Sequence, residues 1–290
     1  MIGIVLTLLS ALAASLAVVL VRKRLDESNF FSVAFVITII GNTILWPLAL
    51  VFANLRAVSL YGVLLFVIAG VLAPGIARLL YYKGMKVVGV SINASIFAAY
   101  PMYSSVLAVL ILGEILVPEN WIGILCIVLG VISIERNLSS SKAESKRISK
   151  RGLALPLLSS IAIATSQIIR KHGLNIYNEP FLGVALGYLL SFLLYLLVLV
   201  SSNATRDSLS LGRDFQLFWK AGVLMTLAWV FAFFALSYER VSIVTPILQI
   251  EPLFVFLFTY LYLKELERIS FRLVAITLLI LVGVMLVSIR

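Results

Sequence analysis

The chain is a succession of continuously apolar runs, each about twenty residues long and joined by short polar connections. A helix of that length crosses the ~30 Å hydrocarbon core of a bilayer. Inside that core every backbone N–H and C=O must find an internal partner, so a spanning chain is helical or a closed barrel. Barrel strands alternate apolar and polar residues. These runs do not alternate, so the fold class is an all-α membrane protein. Composition agrees: 62% of the 290 residues are hydrophobic and 12% are charged, against ~25% charged in an ordinary soluble domain. Mean hydropathy is +1.13.

The runs lie at 2–21, 30–53, 59–82, 90–112, 119–135, 152–170, 180–201, 217–238, 241–263 and 271–289, which predicts ten transmembrane helices. The first run lacks a basic leader and is too long for a signal-peptide core, so it reads as a retained helix. One connection differs from the rest. Residues 137–150, N-L-S-S-S-K-A-E-S-K-R-I-S-K, are Ser- and Lys-rich without apolar periodicity and read as a flexible linker. It separates a first five-helix unit, 1–136, from a second, 151–290.

The two units match in detail. A shift of 151 places Pro101 on Pro252, Glu114 on Glu265, Tyr100 on Glu251 and Ser91 on Ser242. A shift of 148 places the end of the first run, V-R-K-R, on the end of the sixth, I-R-K-H. With an odd number of spans in each unit, the second sits upside down relative to the first. Inverted repeats are a transporter signature, with the binding site near the midplane between the halves.

On these residues the chain resembles the EamA-type branch of the drug/metabolite transporter superfamily. The resemblance rests on two five-span repeats, each with a proline in its fourth span and a glutamate closing it: Pro101 with Gly113-Glu114, and Pro252 with Lys264-Glu265. The pair Glu251-Pro252 is also common in that family. The resemblance covers nearly the whole chain. It implies a ten-helix carrier of small solutes, often an exporter, and names no substrate.

The net charge of +10 does not point to nucleic acid, because the basic residues sit at span ends and in short connections, where they orient membrane proteins. If the N-terminus were cytoplasmic, the outward connections would carry 17 Lys and Arg and the inward ones five: Arg56, Arg170, Lys171, Arg240 and Arg290. The positive-inside rule therefore favours both termini outside, whereas members of the family are usually drawn with both inside. Cys126 is the single cysteine and His172 the single histidine, so neither a disulfide within the chain nor a zinc-type ligand cluster is available. G-x-x-x-x-G-K-[ST] and G-x-S-x-G are absent, which leaves no P-loop and no hydrolase nucleophile. The reading is a non-enzyme without metal or cofactor.

The residues that remain for function are polar groups inside spans. Glu251 is the one acidic residue at the centre of a run, between Pro246 and Pro252. An intramembrane carboxylate is costly and by default marks a site. Here it would couple protons or bind substrate, or else hydrogen-bond backbone groups freed by the prolines. Tyr100, its repeat mate, shares a helix face with Asn93, Phe97 and Ser104. Gln249 lies on another face of a regular helix, unless the prolines reorient it. Arg78 is read as the only basic residue well inside a span. It would neutralise Glu251, bind an anionic group or snorkel, with Tyr82 one turn on. Trp229, the mate of Arg78, stacks or packs. Gln167 belongs to a polar cluster with Thr165 and Ser166. Glu114 and Glu265 are expected to pair with lysines or to cap the next helix. Gly183 and Gly187 form a G-x-x-x-G that fits close packing, within the chain or in a homodimer.

The expectation is a multi-pass carrier of the plasma or inner membrane, moving a small polar or amphipathic metabolite by alternating access, with protons as a candidate coupling partner. Two other readings stand beside it: a flippase for lipids or lipid-linked sugars, and a scaffold without transport activity in which Glu251 is structural.

Overall fold

In a computed structural model of the chain, residues 1–24, 27–88, 93, 96–139, 150–202, 209–263 and 271–289 are described. Among them there are helices and turns but no strand. The helices are α1 (Ile2–Arg24), α2 (Phe30–Phe52), α3 (Leu60–Gly70), a π-helical segment (Val71–Ile76) and α4 (Ala77–Val88). They continue with α5 (Tyr100–Leu112), α6 (Pro118–Ser139), α7 (Lys150–Ile176), α8 (Pro180–Ser201) and α9 (Leu211–Tyr238). The last three are α10 (Val241–Leu248), α11 (Glu251–Leu263) and α12 (Phe271–Val287). Six stretches are long and apolar enough to cross a membrane: Ile2–Val21, Phe31–Phe52, Leu60–Tyr81, Gly152–Ile176, Pro180–Ser201 and Leu211–Tyr238. Four shorter apolar helices accompany them. Leu60, Leu110, Leu197 and Met285 are among the many large apolar side chains on the outside, where lipid rather than water is their solvent.

Helices end where the sequence stops supporting them. Asn29 accepts the Ser32 N–H and starts α2; Ser59 accepts the Gly62 N–H and starts α3. Pro118 and Pro180 stand at the first turns of α6 and α8, where a missing N–H costs nothing. Three predicted spans are interrupted among the described residues: the fourth at Ala98 and Ala99, just before Pro101, and the third and ninth. The third breaks at Pro74, which has no N–H to give and whose ring displaces the preceding turn. Ala73 there is extended, at φ −148°, ψ 133°. The ninth breaks at Gln249 and Ile250, between Pro246 and Pro252.

Close packing is set by small residues. A Cβ on Gly70 would meet the Gly187 Cα at 2.7 Å, and one on Gly123 would meet the Gly283 carbonyl oxygen at 2.7 Å. The first contact joins α3 to α8 and the second joins α6 to α12. Gly183 faces Phe233 and Phe66, so both glycines of the G-x-x-x-G are used inside the chain. α1 lies on α9, α10 and α11; α7 lies on α3, α4 and α5; α2 packs on both α8 and α9.

Candidate functional site

The break in the third span leaves carbonyls that the helix no longer bonds, and in a bilayer they must be met by side chains. α7 and α8 supply them. Ser166 Oγ donates to the Ala69 carbonyl at 2.8 Å, Ser159 Oγ to Ala77 at 2.7 Å and Tyr195 Oη to Pro74 at 3.2 Å. Arg170 Nη2 donates to the Ala73 carbonyl. Its Nη1 donates to Gln167 Oε1 at 3.2 Å. The guanidinium also lies 4.5 Å from the centre of the Trp229 ring and 5.1 Å from that of Phe233, within cation–π range. Arg170 is 2% exposed.

That corrects the expectation that Arg78 is the only basic residue well inside a span. The sixth run was expected to end at residue 170, because I-R-K-H reads as a polar span end. α7 instead continues to Ile176, and Leu174 beyond it is buried. The apolar Leu174 and Ile176 were the signal that the helix goes on. Arg78 sits at the second position of α4, within electrostatic reach of Arg170 and of Tyr188. Trp229 takes the guanidinium on its face, and Gln167 orients it.

The break in the ninth span starts a new helix. Glu251 opens α11, where the helix N-terminus carries partial positive charge. The Gln249 N–H bonds back to Thr245 and Pro246, and Gln249 itself is buried. Tyr100 opens α5 opposite. Its hydroxyl makes a long 3.4 Å contact with the Thr245 carbonyl, while Ser104 Oγ and Thr245 Oγ1 lie 2.7 Å apart. Tyr100 is within electrostatic reach of Glu251 and of Arg170, so it stands between the two charges. Tyr81, Phe97 and Tyr100 form a ring chain with centroids 4.8 and 5.4 Å apart.

Asn93 is fully buried beside Gly84 and Pro156. Neither its Oδ1 nor its Nδ2 has a hydrogen-bond partner among the described residues. Tyr82 belongs to α4, but its side chain lies outside the described residues. Thus Gln167 and Trp229 contact Arg170, Tyr100 and Arg78 are within its electrostatic reach, and Glu251 is within that of Tyr100.

At the face that holds the start of α1, a polar clamp joins the two halves. α5 ends at Gly113, whose φ of +68° favours glycine. That turn delivers the Glu114 carboxylate to the N-terminus of α10, where it accepts the Val241 and Ser242 N–H groups at 2.8 and 3.0 Å and the Ser242 hydroxyl. Arg240 Nη1 donates to the Ile115 carbonyl at 2.6 Å. Lys171 Nζ donates to Leu236 at 2.7 Å. Glu114 therefore caps a helix, as one of its two expected roles had it, but not the next helix: α10 lies 127 residues along. Its mate Glu265 lies outside the described residues. An apolar crevice of about 180 Å³ runs between α2 and α9, lined by Ile40, Thr43, Ile44, Phe215, Trp219 and Val223. No group of three His, Cys, Asp or Glu among the described residues is placed to hold a metal.

Comparison with known proteins gives three findings. The EamA-like transporter family matches residues 1–136 and 150–289. A protein of Archaeoglobus fulgidus, described as an uncharacterized transporter, is 28% identical over 291 aligned positions, covering 99% of this chain and 98% of its own length. A solved structure described only as "Crystal structure of protein" superposes with a TM-score of 0.76 at 13% identity, covering 99% of this chain and 96% of that one. At that identity the likeness is one of fold alone.

Proposed function

The chain belongs to the EamA-like transporter family, and on that premise we propose that it is a secondary carrier exporting a small polar or amphipathic metabolite across the plasma or inner membrane. Family membership argues for a carrier rather than an enzyme. The observation that supports the proposal best is an ionisable group at the breaks of the third and ninth spans: Arg170 on the Ala73 carbonyl and Glu251 at the start of α11. Discontinuous helices with charged ends at mid-depth are how carriers build a solute site in lipid.

Alternating access between two inverted five-helix repeats is part of this proposal. Its support is that the helix pairings exchange when the halves are swapped. α1 lies on α9 as α7 lies on α3 and α4; α1 lies on α10 and α11 as α7 lies on α5. The Glu114 clamp holds one face closed. Opening that face would release α10, and closing the other would follow from the same rocking. Glu251 would take up a proton on one side and release it on the other.

The crevice between α2 and α9 supports a second reading, a lipid or lipid-linked sugar flippase, since it faces the acyl chains and is lined by apolar groups. Thermal stabilisation of the purified protein across a metabolite and lipid-headgroup library tests both, with Glu251→Gln alongside. A metabolite at ~100 times its Kd raises stability by ~2.7 kcal/mol. Stabilisation by soluble metabolites, lost in Glu251→Gln, is the expected result. Stabilisation by headgroup-bearing lipids alone would favour the flippase. No response to any compound would favour a scaffold without transport activity. Orientation follows from Ser140→Cys in a Cys126→Ala background: the charge asymmetry predicts that an impermeant thiol reagent outside the cell leaves it unlabelled.

A further inference from the structure

We infer that the centre of the bundle receives a carboxylate or phosphate group of the transported solute on the guanidinium of Arg170. The inference rests on the carrier reading and adds the chemical class of the solute.

The first observation is the charge environment of Arg170. A guanidinium stays charged in any protein setting and presents five N–H donors in a planar fork. Arg170 spends one donor on Gln167 and one on the Ala73 carbonyl. No further hydrogen-bond partner is present among the described residues. Its charge is left without an acidic partner: the ionisable groups within electrostatic reach are Tyr100, Arg78 and Tyr188, and none is a carboxylate. Arg170 makes no ion pair with a described residue, the pairs of Glu27 lying in an exposed connection. Arg170 is thus a buried cation with π faces rather than a carboxylate beside it. A buried charge is ordinarily paired. The bidentate match of guanidinium to carboxylate or phosphate makes an anionic ligand group the natural partner.

The second observation is independent of charge. Asn93 is fully buried and unsatisfied at both ends of its amide. Native proteins rarely leave such a group unpaired, and where they do a ligand or water is the usual reason. An amide offers both a donor and an acceptor, so it suits a polar solute with a hydroxyl or amide of its own. Asn93 lies beside Pro156, fourteen residues before Arg170 on α7 and so roughly 20 Å along the helix. It marks a second polar point on the same helix, apart from the anion position at Arg170. Trp229 and Phe233 lie against the guanidinium, and its remaining N–H donors have no partner among the described residues.

The test is a thermal-shift panel on the purified full-length protein, built of matched pairs. Each carboxylate or phosphate monoester is set beside the amide or alcohol that lacks only the anionic group. The two kinds of anion are scored separately to tell a carboxylate solute from a phosphate one. The expected result is stabilisation by at least one anionic member whose neutral counterpart binds tenfold more weakly or worse. Arg170→Gln should weaken that ligand at least tenfold, and Arg78→Gln severalfold. Equal stabilisation by the neutral counterparts, or a Kd unchanged in Arg170→Gln, would overturn the anion assignment and leave the carrier reading standing. No stabilisation by any compound would overturn both. If Arg170→Gln does not fold, the wild-type pairs and Arg78→Gln still decide.

Discussion

The breaks of the third and ninth spans carry opposite charges. Each lies at proline, in a solvent that cannot hydrate a stranded backbone group. In the third span the stranded groups are carbonyls, and hydroxyls and a cation meet them: Ser159, Ser166, Tyr195 and Arg170. In the ninth, a new helix begins at the break with a carboxylate, Glu251, as its first residue, while the N–H groups of Gln249, Ile250 and Leu253 are bonded to carbonyls. A carboxylate suits the partial positive charge of a helix N-terminus as a cation suits stranded carbonyls. Each charge thus has a structural reason to be there. What separates them is how much of each charge that reason uses, and substitution at the two breaks measures it.

The largest effect is expected at the third span. Arg170→Met removes the donor from the Ala73 carbonyl, which keeps only a 3.5 Å contact with Ser166 Oγ. A buried acceptor left unmet costs about 1–3 kcal/mol, read as a lower midpoint of thermal unfolding. Release of the guanidinium's own desolvation cost offsets part of it. An unchanged midpoint would mean that the carbonyl had little need of the cation, and would make function the main reason for Arg170.

Glu114 comes next, as a carboxylate on a helix N-terminus that it does not belong to. Three bonds to Val241 and Ser242 are lost in Glu114→Ala, and loss of such a cap costs about 0.5–2 kcal/mol. Because the clamp joins α5 to α10, the substitution should also raise the accessibility of that face to cysteine reagents. A stability loss without greater accessibility would argue that the clamp does not close a gate.

Glu251→Gln should be milder for stability. It forfeits the charge–dipole attraction of one helix end, about 0.3–1 kcal/mol, while the amide keeps hydrogen-bonding capacity. Its effect on transport is the informative half: uptake into proteoliposomes should lose its dependence on a pH gradient. A pH dependence that survives in Glu251→Gln would return Glu251 to a purely structural role.

Much of this was legible in the sequence, and what was not has a common cause. Spans two and seven, expected at 30–53 and 180–201, are helices at Phe30–Phe52 and Pro180–Ser201, because hydropathy reports lipid exposure directly. Pro246 and Pro252 announced the break in the ninth span; the break at Pro74 was not anticipated. The sixth and eighth runs were expected at 152–170 and 217–238, and both helices are longer, at Lys150–Ile176 and Leu211–Tyr238. Their extra turns hold polar residues whose partners come from elsewhere. Arg170 donates to the Ala73 carbonyl at the break in the third span, and Asp214 accepts from the Ser28 hydroxyl at 2.6 Å and the Ser210 N–H at 3.0 Å. Hydropathy scores such residues as water-seeking, since it cannot see a partner distant in the chain. The same blindness hid the target of Glu114.

The smallest effect closes the comparison, since it concerns charges that water can reach. Glu27 pairs with Arg24 at 2.8 Å and with Arg213 at 3.6 Å in the exposed connection between α1 and α2. The hydrogen bond from Arg24 holds its carboxyl below the usual carboxylate range. A depressed carboxyl contributes stability that is present above its unfolded-state value and is lost as pH falls through the folded one. Any contribution from Glu27 is therefore full at neutral pH and disappears only in acid. Solvent screening makes it slight even where it is full. Glu27→Gln should leave the thermal midpoint of the neutral-pH protein where it is, at low salt and at high. Arg170→Met, with no ion pair to break, should still lower it. If instead Glu27→Gln proved the more damaging, carbonyls stranded in lipid would not be what fixes the placement of charge in this protein.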